Sequence, residues 1–122
     1  MQNKTDGAEI VNEAYNLITG ARQDDYDHPL DDYSRTAEIF GAITGRHMSA
    51  EEAVLFMVAV KLSRLWNELE AGLDVPDNTR DAIGYLGCLN MIRSRRKTEQ
   101  SEMDRIFNNL RHRFKTGEST WA

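Results

Sequence analysis

Apolar residues recur at helical spacing along most of the chain, and no stretch shows the strict alternation that is typical of a half-buried strand. The run AVLFMVAVKLSRLW is apolar on nearly all sides, which predicts a central helix covered on several faces. Ser49 with Glu52 forms a capping box at its start. The pattern predicts an all-α fold, a four- to five-helix bundle, with helices near 6–19, 30–45, 49–71, 77–96 and 101–115.

Length and charge narrow the class of protein. The 122 residues suffice for one domain, 1–122, with a loose tail at 116–122 that contains Trp121. A net charge of -5 disfavours general nucleic-acid binding, and the basic cluster at 93–97 suits a helix end. Cys88 is the only cysteine, so we expect a small core residue and no intrachain disulfide. No apolar run approaches about 18 residues. We therefore expect no membrane association and a cytoplasmic location, in the host cytoplasm if the protein is viral.

Three polar segments resist a purely structural interpretation. The first joins Arg22 to the YDHP sequence at 26–29, within a loop that has five aspartates between positions 24 and 32. Carboxylates with a histidine can hold a metal ion, although a solvated acidic turn with His28 near a helix start explains the same residues. Both interpretations stay open on the sequence alone.

The other two segments carry opposite charges on helices. Lys61 and Arg64 interrupt the most apolar helix and must pair with carboxylates, reach solvent or face an anion, because unpaired buried charges are costly. Asp77 and Asp81 are four residues apart, so one helical face presents both carboxylates. Asp77 alone is explained as a helix N-cap. We expect Lys61 and Asp81 to meet across two antiparallel helices, with Gly84 and Gly87 allowing close backbone approach.

Together these segments resemble a family of small phage and prophage proteins. The resemblance rests on YDHP at 26–29, KLSR at 61–64 and DNTRDAIGY at 77–85, and it covers roughly residues 9 to 92. The layout is similar to that of the all-α nucleotide pyrophosphohydrolases of the MazG and dUTPase type. Those enzymes hold Mg²⁺ with carboxylates from two neighbouring helices and split a nucleoside triphosphate between the α and β phosphates. This chain has Lys61 and Arg64 where the MazG pattern has E-x-x-E.

The resemblance implies a role for each residue in a nucleotide site. Asp77, Asp81 and Glu13 would hold Mg²⁺, and Asp81, Lys61 and Glu13 would serve catalysis. The residues facing the nucleotide would be Lys61, Arg64, Arg22, Tyr26, His28 and Tyr85.

Two other classes of function stay open. A non-catalytic protein that sequesters a nucleotide or a signalling nucleotide needs the cations but no metal-bound water. A helical protein-interaction module would use the acidic loop or the basic cluster at 93–97. We also expect a homo-oligomer, a dimer or higher, because one short chain has few elements to cover a helix that is apolar all round.

Overall fold

The computed structural model describes residues 6–20 and 27–116, and over these residues the chain is all-helical. No strand occurs in these two ranges, which confirms the prediction of an all-α fold. The four helices, in chain order, are α1 (Asp6–Thr19), α2 (Pro29–Thr44), α3 (Ala50–Ala71) and α4 (Pro76–Thr116).

Local chemistry sets both ends of α3. The Ser49 hydroxyl accepts the Glu52 backbone N–H at 3.1 Å, and the Glu52 carboxylate accepts the Ser49 N–H at 3.1 Å, so the predicted capping box is confirmed. The helix ends at Gly72, whose φ of 68° lies in the left-handed region. Gly45 ends α2 in the same way with a φ of 71°. Glycine adopts this conformation without a Cβ clash, which explains both stops.

The start of α2 depends on the YDHP segment. His28 is the N-cap: its Nδ1 accepts the Leu30 N–H at 3.1 Å, and Pro29 follows in the first turn. Asp27, the aspartate of the same motif, forms an ion pair with Arg35 of α2. The structure therefore gives His28 a structural task, as the helix-start interpretation predicted.

This cap can be tested by substitution. His28→Ala is expected to lower the free energy of unfolding by about 1 kcal/mol, because the Leu30 N–H loses its acceptor. His28→Asn should restore most of the loss, since asparagine is a good N-cap residue. Urea denaturation followed by circular dichroism measures both variants. Equal stability of the alanine and asparagine variants would contradict the cap.

The prediction of separate helices at 77–96 and 101–115 is wrong, because α4 runs without a break from Pro76 to Thr116. The segment Lys97–Gln100 contains neither proline nor glycine, and pairs one turn apart support it. Arg95 contacts Glu99 at 3.4 Å and Gln100 donates to Asp104 at 2.9 Å. The basic residues that suggested a helix end lie inside α4.

The chain divides into two compact units, Met1–Ile92 and Arg93–Ala122. The first unit holds the core, to which α2, α3 and α4 contribute. α2 packs against α3. Cys88 is buried in this core, which confirms the prediction of a small core residue. The buried cluster consists of Leu30, Tyr33, Ala50, Ala53, Val54, Cys88 and Ile92.

The glycines of α4 make room for α1, and the expectation that they let α3 approach is wrong. The side chain of Ile18 lies above both, such that a Cβ added at Gly84 would be 3.5 Å from Ile18 Cγ2, and one added at Gly87 would be 2.8 Å from Ile18 Cδ1. Glycine costs about 1 kcal/mol relative to alanine in a helix interior. At these two positions glycine allows the close approach of α1. Residues of α1 line the site described below.

None of the described helices is both long and apolar enough to span a membrane. The predicted loose tail lies outside the described residues apart from Thr116, the last residue of α4.

Candidate functional site

A lysine–aspartate pair joins α3 to α4. Lys61 Nζ lies 2.9 Å from Asp81 Oδ2, and the two side chains are only 12% and 26% exposed. As residue numbers fall along α3 from Glu68 to Lys61, their partners on α4 rise from Asn78 to Asp81, so the two helices are antiparallel. The sequence predicted this meeting from the cost of leaving Lys61 unpaired on an apolar helix.

Arg80 extends the pair into a network. Its guanidinium contacts Asp81 Oδ1 and Asp77 Oδ1, each at 3.3 Å. Asp77 itself is well exposed, and it stands in the first turn of α4 rather than at the N-cap, because the helix begins at Pro76. Two cations and two carboxylates thus alternate along the network: Lys61, Asp81, Arg80 and Asp77.

Asp81 is held in its ionised form. Burial by itself raises the pKa of Asp81, but the hydrogen bond and the charge of Lys61, together with those of Arg80, outweigh it, so that the pKa lies below its ordinary value. Each carboxylate oxygen of Asp81 contacts a cation: Oδ2 contacts Lys61, and Oδ1 contacts Arg80.

A cavity and a cleft adjoin this network. The cavity, of about 140 Å³, lies between α1 and α4 and is lined by Arg80, Asp81 and Tyr85 beside Leu17, Ile18, Gly84 and Cys88. The cleft, of about 300 Å³, is more open and is lined by Glu13, Asn16, Leu17 and Arg80. Arg80 and Leu17 line both, so the two spaces share part of their walls. We call them together the Arg80 cleft.

The structure brings some of the predicted site residues together and separates others. Asp81 and Tyr85 line the cavity, Glu13 lines the cleft, and Lys61 reaches Asp81 from α3. Arg64 is exposed one turn further along α3 and lines neither space. His28 caps α2. Arg22 and Tyr26 lie outside the described residues.

The predicted carboxylates are not gathered around a common centre. Within residues 6–20 and 27–116, no three His, Cys, Asp or Glu side chains are close enough together to hold a metal ion. Asp77 and Asp81 contact Arg80, and Asp81 also contacts Lys61. In this arrangement they do not fit a resident Mg²⁺.

Sequence reasoning missed Arg80, which is the residue that connects the site. It lies in the DNTRDAIGY segment, in which the aspartates on either side and Tyr85 were predicted to be site residues. One feature could have identified it: Arg80 is the only cation between Pro76 and Ile92. A lone cation between two aspartates of one helical turn was the natural partner for both.

Sequence reasoning also missed Glu68, the only charged residue that is buried among the described residues. Its carboxylate accepts the Val75 N–H at 3.1 Å and a hydrogen bond from the Asn78 side-chain amide. Its backbone carbonyl accepts the Leu73 N–H at 2.9 Å. Glu68 thereby holds the α3–α4 loop from both its side chain and its backbone, and it positions the first turn of α4 that carries Asp77 and Arg80.

The helices and the Arg80 cleft define a small all-α protein with a charged site between two helices of its first compact unit. The chain belongs to the family described as Domain of unknown function (DUF6378), whose model matches residues 9–93. The matched region ends next to the boundary between the two compact units, at Ile92 and Arg93. No curated protein and no solved structure matches the chain.

Proposed function

We propose that the protein binds a nucleotide in the Arg80 cleft. The observation that carries the proposal is the position of Arg80, whose side chain is 28% exposed and which lines both the cavity and the cleft. Guanidinium groups are well suited to phosphate oxygens, which they bind in a bidentate manner. A phosphate entering the cleft would replace Asp77, which is exposed, as a partner of Arg80.

The remaining lining supplies groups for a nucleoside. Tyr85 offers an aromatic face in the cavity, and aromatic faces stack on bases of any sequence. Asn16 offers an amide that can donate and accept hydrogen bonds in the cleft. The cleft volume of about 300 Å³ is at the lower end of the range for small-molecule sites. The similarity in layout to the MazG-type pyrophosphohydrolases, inferred from the sequence, supports the same class of ligand.

Binding without catalysis is the form of this proposal that the charges favour. Asp81 is engaged by Lys61 and Arg80 and so is poorly placed to activate water, and the E-x-x-E of MazG-type enzymes is replaced by Lys61 and Arg64. A phage-encoded protein of this kind would sequester a nucleotide. Glu13 is the observation that keeps a Mg²⁺-dependent pyrophosphohydrolase as the second candidate, since it lines the same cleft as Arg80.

Calorimetric titration with ATP, GTP, CTP, UTP and the four dNTPs tests the proposal, in Mg²⁺ and again in EDTA. We expect one or more nucleotides to bind and Arg80→Met to weaken that binding at least about tenfold, which corresponds to about 1.4 kcal/mol. Arg105→Met is the matched control, because Arg105 is exposed and belongs to the second compact unit. Circular dichroism verifies that both variants fold.

Pyrophosphate release, measured in the same samples, separates the two candidates. Binding without release supports a sequestering protein, and release that requires the metal supports the hydrolase. No binding of any nucleotide would overturn the proposal. Binding that Arg80→Met leaves unchanged would place the ligand elsewhere and overturn the assignment of the site.

A further inference from the structure

The core of the described chain is small for the apolar residues it contains. Eleven apolar residues are buried, of which five are alanines, whereas seventeen large apolar side chains remain exposed. Single exposed apolar residues are normal on a protein surface, but a continuous patch of them marks an interaction site. Exposed apolar side chains that lie together on one face of a helix form such a patch.

Side chains of this kind lie together on α3. Leu55, Leu62, Trp66 and Leu69 are 48%, 54%, 64% and 74% exposed, and the exposed Ala59 lies between the first two. At about 100° per residue, these five side chains fall within an arc of about 80°. The buried residues Ala50, Ala53 and Val54 lie outside this arc and face the core. We call the five exposed residues the α3 stripe.

The spacing within the α3 stripe is that of a coiled-coil seam. Its members follow one another at intervals of four, three, four and three residues. Apolar residues at these intervals keep one seam facing a partner helix, and each side chain enters a hole formed by four residues of that partner. A seam of this kind fits another copy of itself, and Ala59 is small enough to allow close approach near its middle.

A groove beside the stripe adds to the apolar surface. It has a volume of about 290 Å³, lies between α2 and α3, and is lined by apolar side chains that include Tyr33, Phe40, Met48, Met57 and Phe56. Phe56 is 60% exposed and precedes Ala59 by three residues, a spacing that makes side chains neighbours on a helix, so the groove borders the α3 stripe. Aromatic side chains that enter such pockets dominate binding energies at protein interfaces, and Trp66 is the largest exposed side chain of the stripe.

We propose that the α3 stripe is the interface with a second copy of this chain. The area supports that occupant: an aromatic side chain buries about 150–250 Å² when fully covered, and Trp66 and Phe56 are 64% and 60% exposed, so the stripe and Phe56 offer several hundred Å² toward the roughly 800 Å² per partner of a stable complex. A two-fold axis brings the same patch of both copies together, which a self-complementary seam requires. The proposal does not depend on the nucleotide site.

Light scattering of the full chain after size-exclusion chromatography tests the proposal. We expect twice the chain mass of 14.0 kDa for the wild-type protein and the single-chain mass for Leu62→Glu. Val11→Glu is the matched control and should keep the wild-type mass, since Val11 is 52% exposed on α1. Circular dichroism confirms that Leu62→Glu is folded. The melting temperature should rise with concentration for the wild-type protein only.

Cross-linking gives an independent measurement of the same contact. The only native cysteine, Cys88, is 2% exposed, so the wild-type protein provides a low background. Leu62 is the middle residue of the stripe and faces its own copy whether the two helices run parallel or antiparallel. Leu62→Cys should therefore form a disulfide-linked dimer, and Asn90→Cys, exposed on α4, should not. A wild-type monomer at roughly 100 µM, or a Leu62→Glu variant that remains dimeric, would overturn the proposal.

Discussion

Replacement of Glu68 by alanine is expected to lower the free energy of unfolding by about 3 kcal/mol. The carboxylate is buried, and it accepts hydrogen bonds from the Val75 N–H and from the Asn78 side chain. Alanine would leave both donors without their acceptor in a partly buried corner and would remove a negative charge next to the N-terminus of α4.

Two further variants identify the cause of the loss. Glu68→Gln keeps the size of the side chain but offers only one acceptor oxygen, so it should cost about half as much as alanine. Glu70→Ala is the matched control: Glu70 is exposed on the same helix, and its loss should change stability by no more than about 0.5 kcal/mol. Urea denaturation measures the free energy of unfolding of all three variants. Equal slopes of the curves show that the variants differ in stability and not in the surface exposed on unfolding. If Glu68→Ala and Glu70→Ala lost the same stability, the role given to Glu68 would be wrong.

Asp81→Asn is expected to lower the free energy of unfolding at neutral pH by about 2 kcal/mol. The value lies between those of exposed and buried ion pairs, because Lys61 is 12% exposed and Asp81 26% exposed. Most of the loss comes from Lys61, which keeps its charge in a nearly buried place without its carboxylate partner. In a double-mutant cycle with Lys61→Met, we expect a coupling energy of about 1–3 kcal/mol.

The pH dependence of stability provides a second measurement of this pair. The pKa of Asp81 in the folded protein lies below its ordinary value, because Lys61 and Arg80 outweigh the effect of burial. A carboxyl group whose folded pKa is lowered stabilises the protein above its unfolded pKa of about 3.9 and loses that contribution as the pH falls through the folded value. The wild-type protein should therefore lose more stability than Asp81→Asn between about pH 5 and pH 2. Parallel acid titrations of the two proteins would contradict the pair's contribution.

The interactions that sequence reasoning found in advance are of two kinds. The capping box of Ser49 and Glu52 was visible because both partners lie within one turn of chain. The meeting of Lys61 with Asp81 was predictable for another reason: a charged residue on an apolar helix needs a partner, and the next helix offered one. Arg80 and Glu68 escaped because their tasks depend on where the α3–α4 loop places the first turn of α4.

The sequence by itself determined the helical class of this protein, the starts and stops of α2 and α3, and the need of Lys61 for a negatively charged partner. These are consequences of spacing and capping within a few residues of chain. Only the tertiary structure decided that α4 continues through 97–100, that the side chain of Ile18 lies above Gly84 and Gly87, and that Arg80 borders a cleft between α1 and α4. The physical reason is that local propensity sets whether a helix forms, whereas the position of one helix against another follows from packing between residues that are distant in the chain.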